Sequence, residues 1–403
     1  MRVKSDCNWC VSALLALATL PVGVAQAQVP ANIEAELRKI GRIVDPPCTA
    51  KLYRPLMPAN DVTSSATPLY PGIAIARDLS FGPNPKDVVD VFTADKGANS
   101  RPVVIYVPGG GGDKIELQNK ESNAFYDNIA RWATKNGMVG VTMQRHFSPG
   151  WDDGAKDVAR MIQWVQANIA KYKGNPDRMF IWAHSAGNMP LGTYIGRPEL
   201  HGPKGVGVKG VIFMSPAPFN IAPLDPGMGV DPAEMMAAMA RAGKSCGTSG
   251  LMSTDGALPG RAPGQPGGPA GRGQGPFGPP PAEGPGARAG APPAARGGVL
   301  PVFGPPADPA TQLTRSSLPG LKKTTAKIML ANAELDPGAD VVANGGMGSF
   351  NKALNDELCK DGGARCPTQL YAKGHSHMSI VFSIDTPDTS VSGPILDWMK
   401  GIK

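Results

Sequence analysis

A chain of 403 residues, 41% of them hydrophobic, is long enough to bury one large core. Its formal charge of +7 is scattered, with no dense basic run or basic helix face, which argues against a specific nucleic-acid partner. The 51 Gly and 42 Pro exceed average usage, and much of that excess falls in one segment, Gly256–Pro306.

The first residues combine Arg2 and Lys4, an apolar run Val11–Leu20 and the small-x-small site Ala25-Gln26-Ala27. That is the pattern of a cleaved export signal over residues 1–27. The run is too short for a stable membrane anchor, so a periplasmic or extracellular chain starting near Gln28 is expected. Cys48, Cys246, Cys359 and Cys366 then remain, an even set that predicts disulfides in an exported protein. Cys359 and Cys366 flank a short turn and read as a local pair, leaving Cys48 and Cys246 by elimination. Four cysteines allow three pairings. None of the spacings resembles a zinc site.

Ile33, Leu37, Ile40 and Val44 recur at helical spacing. Strand-like runs follow at Ile73–Leu79, Val88–Thr93 and Pro102–Val107, the last apolar throughout, as for a strand buried on both faces. A helix is predicted over Asn123–Asn136, a strand over Met138–Met143 and a helix over Gly154–Tyr172. Next come a strand at Arg178–Ala183, a helix from Gly187 to Ile195 with Pro190 in its first turn, and a strand at Val208–Met214. Further strands are Lys327–Ala331 and Thr368–Tyr371, separated by a helix around Gly348–Leu358, and Val391–Met399 closes the chain as a helix. Strands alternating with long helices imply parallel pairing, and the early strands without helices between them imply a mixed sheet. The expected architecture is one α/β domain over residues 28–403, with a mostly parallel central sheet flanked by helices. Gly256–Pro306 has almost no core-forming residues and is expected to be a disordered insertion, either a surface excursion or a lid. The Met- and Ala-rich Pro232–Ala242 before it reads as helical, and under the lid reading it offers an adaptable apolar wall.

The strand at Arg178–Ala183 runs into His184-Ser185-Ala186-Gly187 and then a helix. A serine on such a strand-to-helix turn needs small neighbours two residues to either side, and Ala183 and Gly187 supply them. Ser185 is therefore the candidate nucleophile, and His184 is assigned to packing. Pro108-Gly109-Gly110-Gly111-Gly112 follows the buried strand directly. Acyl transfer develops an oxyanion that needs preorganised N–H donors, and Gly110, Gly111 and Ala186 are the candidates. The run lacks the Lys-Ser/Thr ending of a phosphate-binding loop. A serine nucleophile also needs a base oriented by a carboxylate. The order serine, acid, histidine leaves His375 and His377, both placed in a loop after Thr368–Tyr371; His201 comes too early. Asp336 follows the preceding strand and is the best acid, with Glu334 and Asp340 as fallbacks.

With these motifs, the chain resembles the hormone-sensitive-lipase and feruloyl-esterase-like branch of the α/β hydrolases. The resemblance covers about Val88 to Lys403 without the insertion. It rests on the glycine loop, Trp164–Gly187, Glu334-Leu335-Asp336 and Gly374-His375-Ser376-His377-Met378-Ser379. It implies the α/β-hydrolase fold, serine esterase chemistry on a small-molecule ester without metal or organic cofactor, and His377 over His375 as the base. The chain departs from the pattern at Ala183, where Gly is usual, and at Pro108, where the family carries a histidine that shapes the oxyanion loop. Gln144-Arg145-His146 stands in place of the family's Tyr-Arg pair. An amidase or exopeptidase on the same machinery, or a catalytically silent binding protein, are the alternative readings.

Overall fold

The computed structural model describes residues 29–57, 70–110, 124–146, 150–224, 237, 241–247, 308–337, 340–360 and 365–403. The expected signal, the Gly256–Pro306 insertion, most of Pro232–Ala242 and Gly111 lie outside the described residues.

Eight strands form one sheet: β1 (Ile73–Ser80), β2 (Val88–Ala94), β3 (Arg101–Val107), β4 (Val139–Met143), β5 (Gly174–His184), β6 (Gly210–Met214), β7 (Lys327–Leu335) and β8 (Thr368–Ser376). Their order is β1-β2-β4-β3-β5-β6-β7-β8. β2 runs antiparallel to both β1 and β4, and every other pairing is parallel. The sheet is thus mixed only at the edge where the sequence has no helices between strands, as expected.

Among the described residues, the α-helices of eight residues or more are α1 (Ala31–Ile40), α2 (Pro46–Tyr53), α3 (Ala124–Lys135), α4 (Asp153–Asn168), α5 (Asn188–Gly196), α6 (Ser349–Cys359) and α7 (Ser392–Gly401). Alternation along β3 sends Val103, Ile105 and Val107 to one face, where they join Val158 and Ile162 of α4, Leu191 of α5, and Phe350 and Leu354 of α6. Val104 and Tyr106 face the other side, with Leu37 of α1, Tyr53 of α2, Ile129 and Trp132 of α3, and Ile395 of α7. Burying one such side chain contributes roughly 1.5–3 kcal/mol, so a run apolar on both faces commits β3 to the middle of the sheet. Among the described residues no helix is long and apolar enough to cross a membrane.

Cys48 is bonded to Cys246 and Cys359 to Cys366, the two pairings expected from the sequence. Asp45 caps α2 by accepting from Cys48 N through Oδ1, and its Oδ2 accepts from Gly243 N. The long-range disulfide and this carboxylate therefore fasten α2 to the segment that follows β6. α1 stops at Ile40, short of Val44.

Candidate active site

The carboxyl ends of β5, β7 and β8 bring three side chains together. Ser185 follows β5 directly with φ +51°, a left-handed conformation that a side chain adopts only when its surroundings hold it there. The bend is packed too tightly for larger neighbours. A Cβ on Gly187 would lie 2.4 Å from Val107 O, and one on Gly109 would lie 2.9 Å from Ser185 Cβ. Asn188 Nδ2 at the start of α5 secures the turn, donating to Ser185 O at 2.8 Å and Met214 O at 3.0 Å.

His377 Nε2 lies 2.9 Å from Ser185 Oγ, and His377 Nδ1 lies 2.9 Å from Asp336 Oδ1. Asp336 is the first residue after β7, and its other oxygen accepts from Ser215 Oγ and Ala333 N, both at 2.9 Å, and from Asn332 Nδ2 at 3.3 Å. Burial alone would raise its carboxyl pKa, but the His377 contact and the Ser215 and Asn332 donors outweigh it, and the net shift is downward. The carboxylate stays charged, and it presents one oxygen to His377 with the other already satisfied.

The remaining sequence candidates sit elsewhere. His375 belongs to β8, which extends to Ser376 rather than ending at Tyr371, so only His377 lies past the strand end. The polar residues that close β8 hid this extension from a reading based on apolar runs. His375 is buried, with Nδ1 3.0 Å from Ser379 Oγ and Nε2 2.7 Å from Ser390 Oγ. Glu334 accepts from Arg38 and from Gly374 N, a brace between α1, β7 and β8. The Asp340 side chain lies outside the described residues, and His201 Nε2 bonds Tyr194 O. Gly110 lies three residues past β3 with φ +56°, and Ala186 follows Ser185 on the elbow. His184 is buried, as a packing residue would be, and its Nε2 donates to His377 O at 2.8 Å. Burial, reinforced by the neighbouring His377, pushes its pKa down to about 3, so this imidazole is neutral. It ties the turn at Ser185 to the residue after β8, a contact the sequence did not signal.

Asp87, His146 and Asp157 form a tight group near the end of β4, with His146 Nε2 3.0 Å from Asp87 and 3.2 Å from Asp157. Arg160 pairs with Asp157 and stands 3.8 Å from Asp87, so side chains already supply positive charge to both carboxylates.

A sheet in this order with only β2 reversed, a serine on the β5 elbow, an acid after β7 and a histidine after β8 define the α/β-hydrolase fold. Within it, residues 89–191, from β2 into α5, match the BD-FAE family model. Among curated proteins, the chain is 34% identical over 119 residues to esterase LipQ of Mycobacterium tuberculosis, covering 28% of this chain and 27% of that protein. It is 25% identical over 127 residues to the para-nitrobenzyl esterase of Bacillus subtilis, covering 28% and 25%. The matched stretch thus spans about a quarter of the length of these relatives. Among solved structures, esterase B of Lactobacillus rhamnosis aligns over 92% of this chain and 96% of its own, at 14% identity and a TM-score of 0.49.

Proposed function

We propose that this protein hydrolyses carboxylic esters through an acyl-enzyme, with Ser185 as nucleophile, His377 as general base and acid, and Asp336 as the carboxylate that orients His377. The observation that carries the reading is the unbroken chain from Ser185 Oγ through His377 to Asp336, with both links at 2.9 Å. As Oγ attacks the acyl carbon, its proton passes to His377 Nε2. Asp336 accepts from Nδ1–H, which leaves the Nε2 lone pair facing the serine and stabilises the imidazolium once formed. Gly110, Gly111 and Ala186 donate N–H groups to the oxyanion, and losing one such donor typically costs about 10²–10³ in kcat. The imidazolium then protonates the leaving alkoxide. A water deprotonated by His377 attacks the acyl-serine, releasing the carboxylic acid and restoring Ser185.

The test is labelling of the folded protein with a fluorescent fluorophosphonate, alongside turnover of p-nitrophenyl butyrate and a matched anilide. Labelling and ester turnover should vanish in Ser185→Ala, fall sharply in His377→Ala and survive His375→Ala. Full esterase activity in Ser185→Ala would end the proposal, and faster anilide than ester cleavage would turn it toward an amidase.

Export after removal of residues 1–27 is part of the same proposal, supported by two disulfides, which persist in oxidising compartments. N-terminal sequencing of the protein from its native host should start near Gln28, and an intact Met1 would refute it.

A further inference from the structure

The first three residues after β3, Pro108 to Gly110, have no side chains with which to brace themselves. Pro108 has no backbone N–H, and neither it nor Gly109 and Gly110 has a polar side chain. Yet this stretch must lie closely against the nucleophile turn, because a Cβ at Gly109 would fall 2.9 Å from both His184 O and Ser185 Cβ. Among the described residues, the side-chain donors that hold this stretch come from Arg145, two residues past β4. Its Nε donates to Pro108 O at 2.6 Å and one terminal nitrogen donates to Gly110 O at 2.5 Å. The side chain is buried. Arg77, Arg131 and Arg160 each pair with a carboxylate, whereas among the described residues no carboxylate pairs with Arg145. Burial pushes its pKa down to about 10, with only Tyr106 opposing the shift, so the group is still a cation at neutral pH. A desolvated cation answered, among the described residues, by backbone carbonyls is expensive, and a neutral amide could make similar single bonds. The arrangement makes sense where the charge itself is used.

We propose that Arg145 is the positioning residue of the oxyanion loop. This inference rests on the serine-esterase reading above. A peptide unit is planar and trans, so holding its carbonyl fixes the direction of the N–H on the opposite edge. The fork of Arg145 holds the carbonyls of Pro108 and Gly110, and so sets the orientation of two alternate peptide units, the one between Pro108 and Gly109 and the one that follows Gly110. A charge-assisted bond to a carbonyl also polarises that peptide and strengthens its N–H as a donor. Arg145 therefore acts on the transition state through the loop, without touching the substrate.

Arg145→Lys retains the charge without the fork, and Arg145→Gln retains a donor without the charge. Each should lower kcat for p-nitrophenyl butyrate by about tenfold to a hundredfold, the smaller part of what losing a whole oxyanion donor costs. KM should stay within about threefold, and the midpoints of the pH–rate profile should not move, because His377 and Asp336 are untouched. Affinity for a trifluoromethyl ketone, whose adduct with serine mimics the tetrahedral intermediate, should fall in proportion to kcat/KM. A merely structural role would lower the melting temperature and leave those ratios at the wild-type value. Wild-type kcat and ketone affinity in either folded variant would overturn the inference. Ser185→Ala, assayed in parallel, keeps the two failures apart. An active Ser185→Ala defeats the serine reading itself, whereas a silent Ser185→Ala beside fully active Arg145 variants defeats only the role of Arg145.

Discussion

Two serine–histidine–aspartate groupings lie within a few residues of each other around the end of β8, and they are wired in opposite senses. In one, Ser185 meets His377, and His377 meets Asp336. In the other, Ser390 Oγ donates straight to Asp388 Oδ1 at 2.5 Å and lies 2.7 Å from His375 Nε2, with Asp388 Oδ2 3.7 Å from that nitrogen. The Ser390 hydrogen is committed to the carboxylate, so its oxygen accepts from His375 Nε2–H, and His375 Nδ1 accepts from Ser379 Oγ. His375 has no lone pair left to take a proton from Ser390, and Asp388 also accepts from Tyr53 OH of α2. The composition of a triad does not make a nucleophile. On the proposed reading the order of donors and acceptors does, together with the strained elbow and the glycine loop that Ser185 has beside it and Ser390 does not.

That contrast can be broken by exchanging the carboxylates for amides. Asp336→Asn forces His377 toward the tautomer that points an N–H at the serine, and kcat should fall by about 10³–10⁴ while the protein stays folded. Asp388→Asn and Ser390→Ala should keep kcat within about threefold of wild type and lower the melting temperature, since they loosen a buried bond network. Steady-state turnover of p-nitrophenyl butyrate with melting by circular dichroism decides between the two groups. A collapse of kcat in Ser390→Ala with full activity in Asp336→Asn would reverse the assignment.

The comparison also shows where sequence reading stops. β3, β5 and β6 were legible because strands covered on both faces must be apolar; Ser185 directly follows such a strand, and Asp336 was picked out a few residues past the apolar part of β7. β7 and β8 run on past their apolar stretches, to Leu335 and Ser376. Their polar ends are held by tertiary partners: Asn332 by Asn351, and Glu334 by Arg38 and Gly374. No local pattern encodes those contacts, which is why His375 reads as a loop residue. α2 was missed because its Pro46-Pro47 opening looks like a turn, although proline is well placed in a first helical turn and Asp45 supplies the cap. Arg145 carried no sequence signal beyond standing in the Gln144-Arg145-His146 stretch, where the resembled family has its Tyr-Arg pair. With Pro108 in place of that family's loop-shaping histidine, the bracing of the loop comes from the neighbouring strand, and only the structure shows it.

The smallest effect expected is on acid stability, where the buried histidine of the Ser390 grouping separates from the rest of the molecule. Burial pushes His375 down to about 4, with Asp388 opposing the shift, and His184 is pushed down to about 3. An unfolded histidine titrates near 6.5, so between that pH and the folded value the unfolded chain binds more protons than the native one. Stability from these two groups is therefore complete above about pH 6.5 and declines as pH falls toward 4. Each proton contributes a slope of about 1.4 kcal/mol per pH unit in that window. Asp336, with its pKa lowered, adds a loss only further into acid. His375→Gln should lower the melting temperature at pH 7 through the disturbed bonds to Ser379 and Ser390. It should also remove one proton from the linkage, so that chemical-denaturation free energies measured from pH 7 to 4.5 slope less steeply by about 1.4 kcal/mol per unit than in the wild type. Parallel slopes in the two proteins would mean that His375 binds its proton equally in both states, and the buried, neutral, donor-committed histidine described here would have to be abandoned.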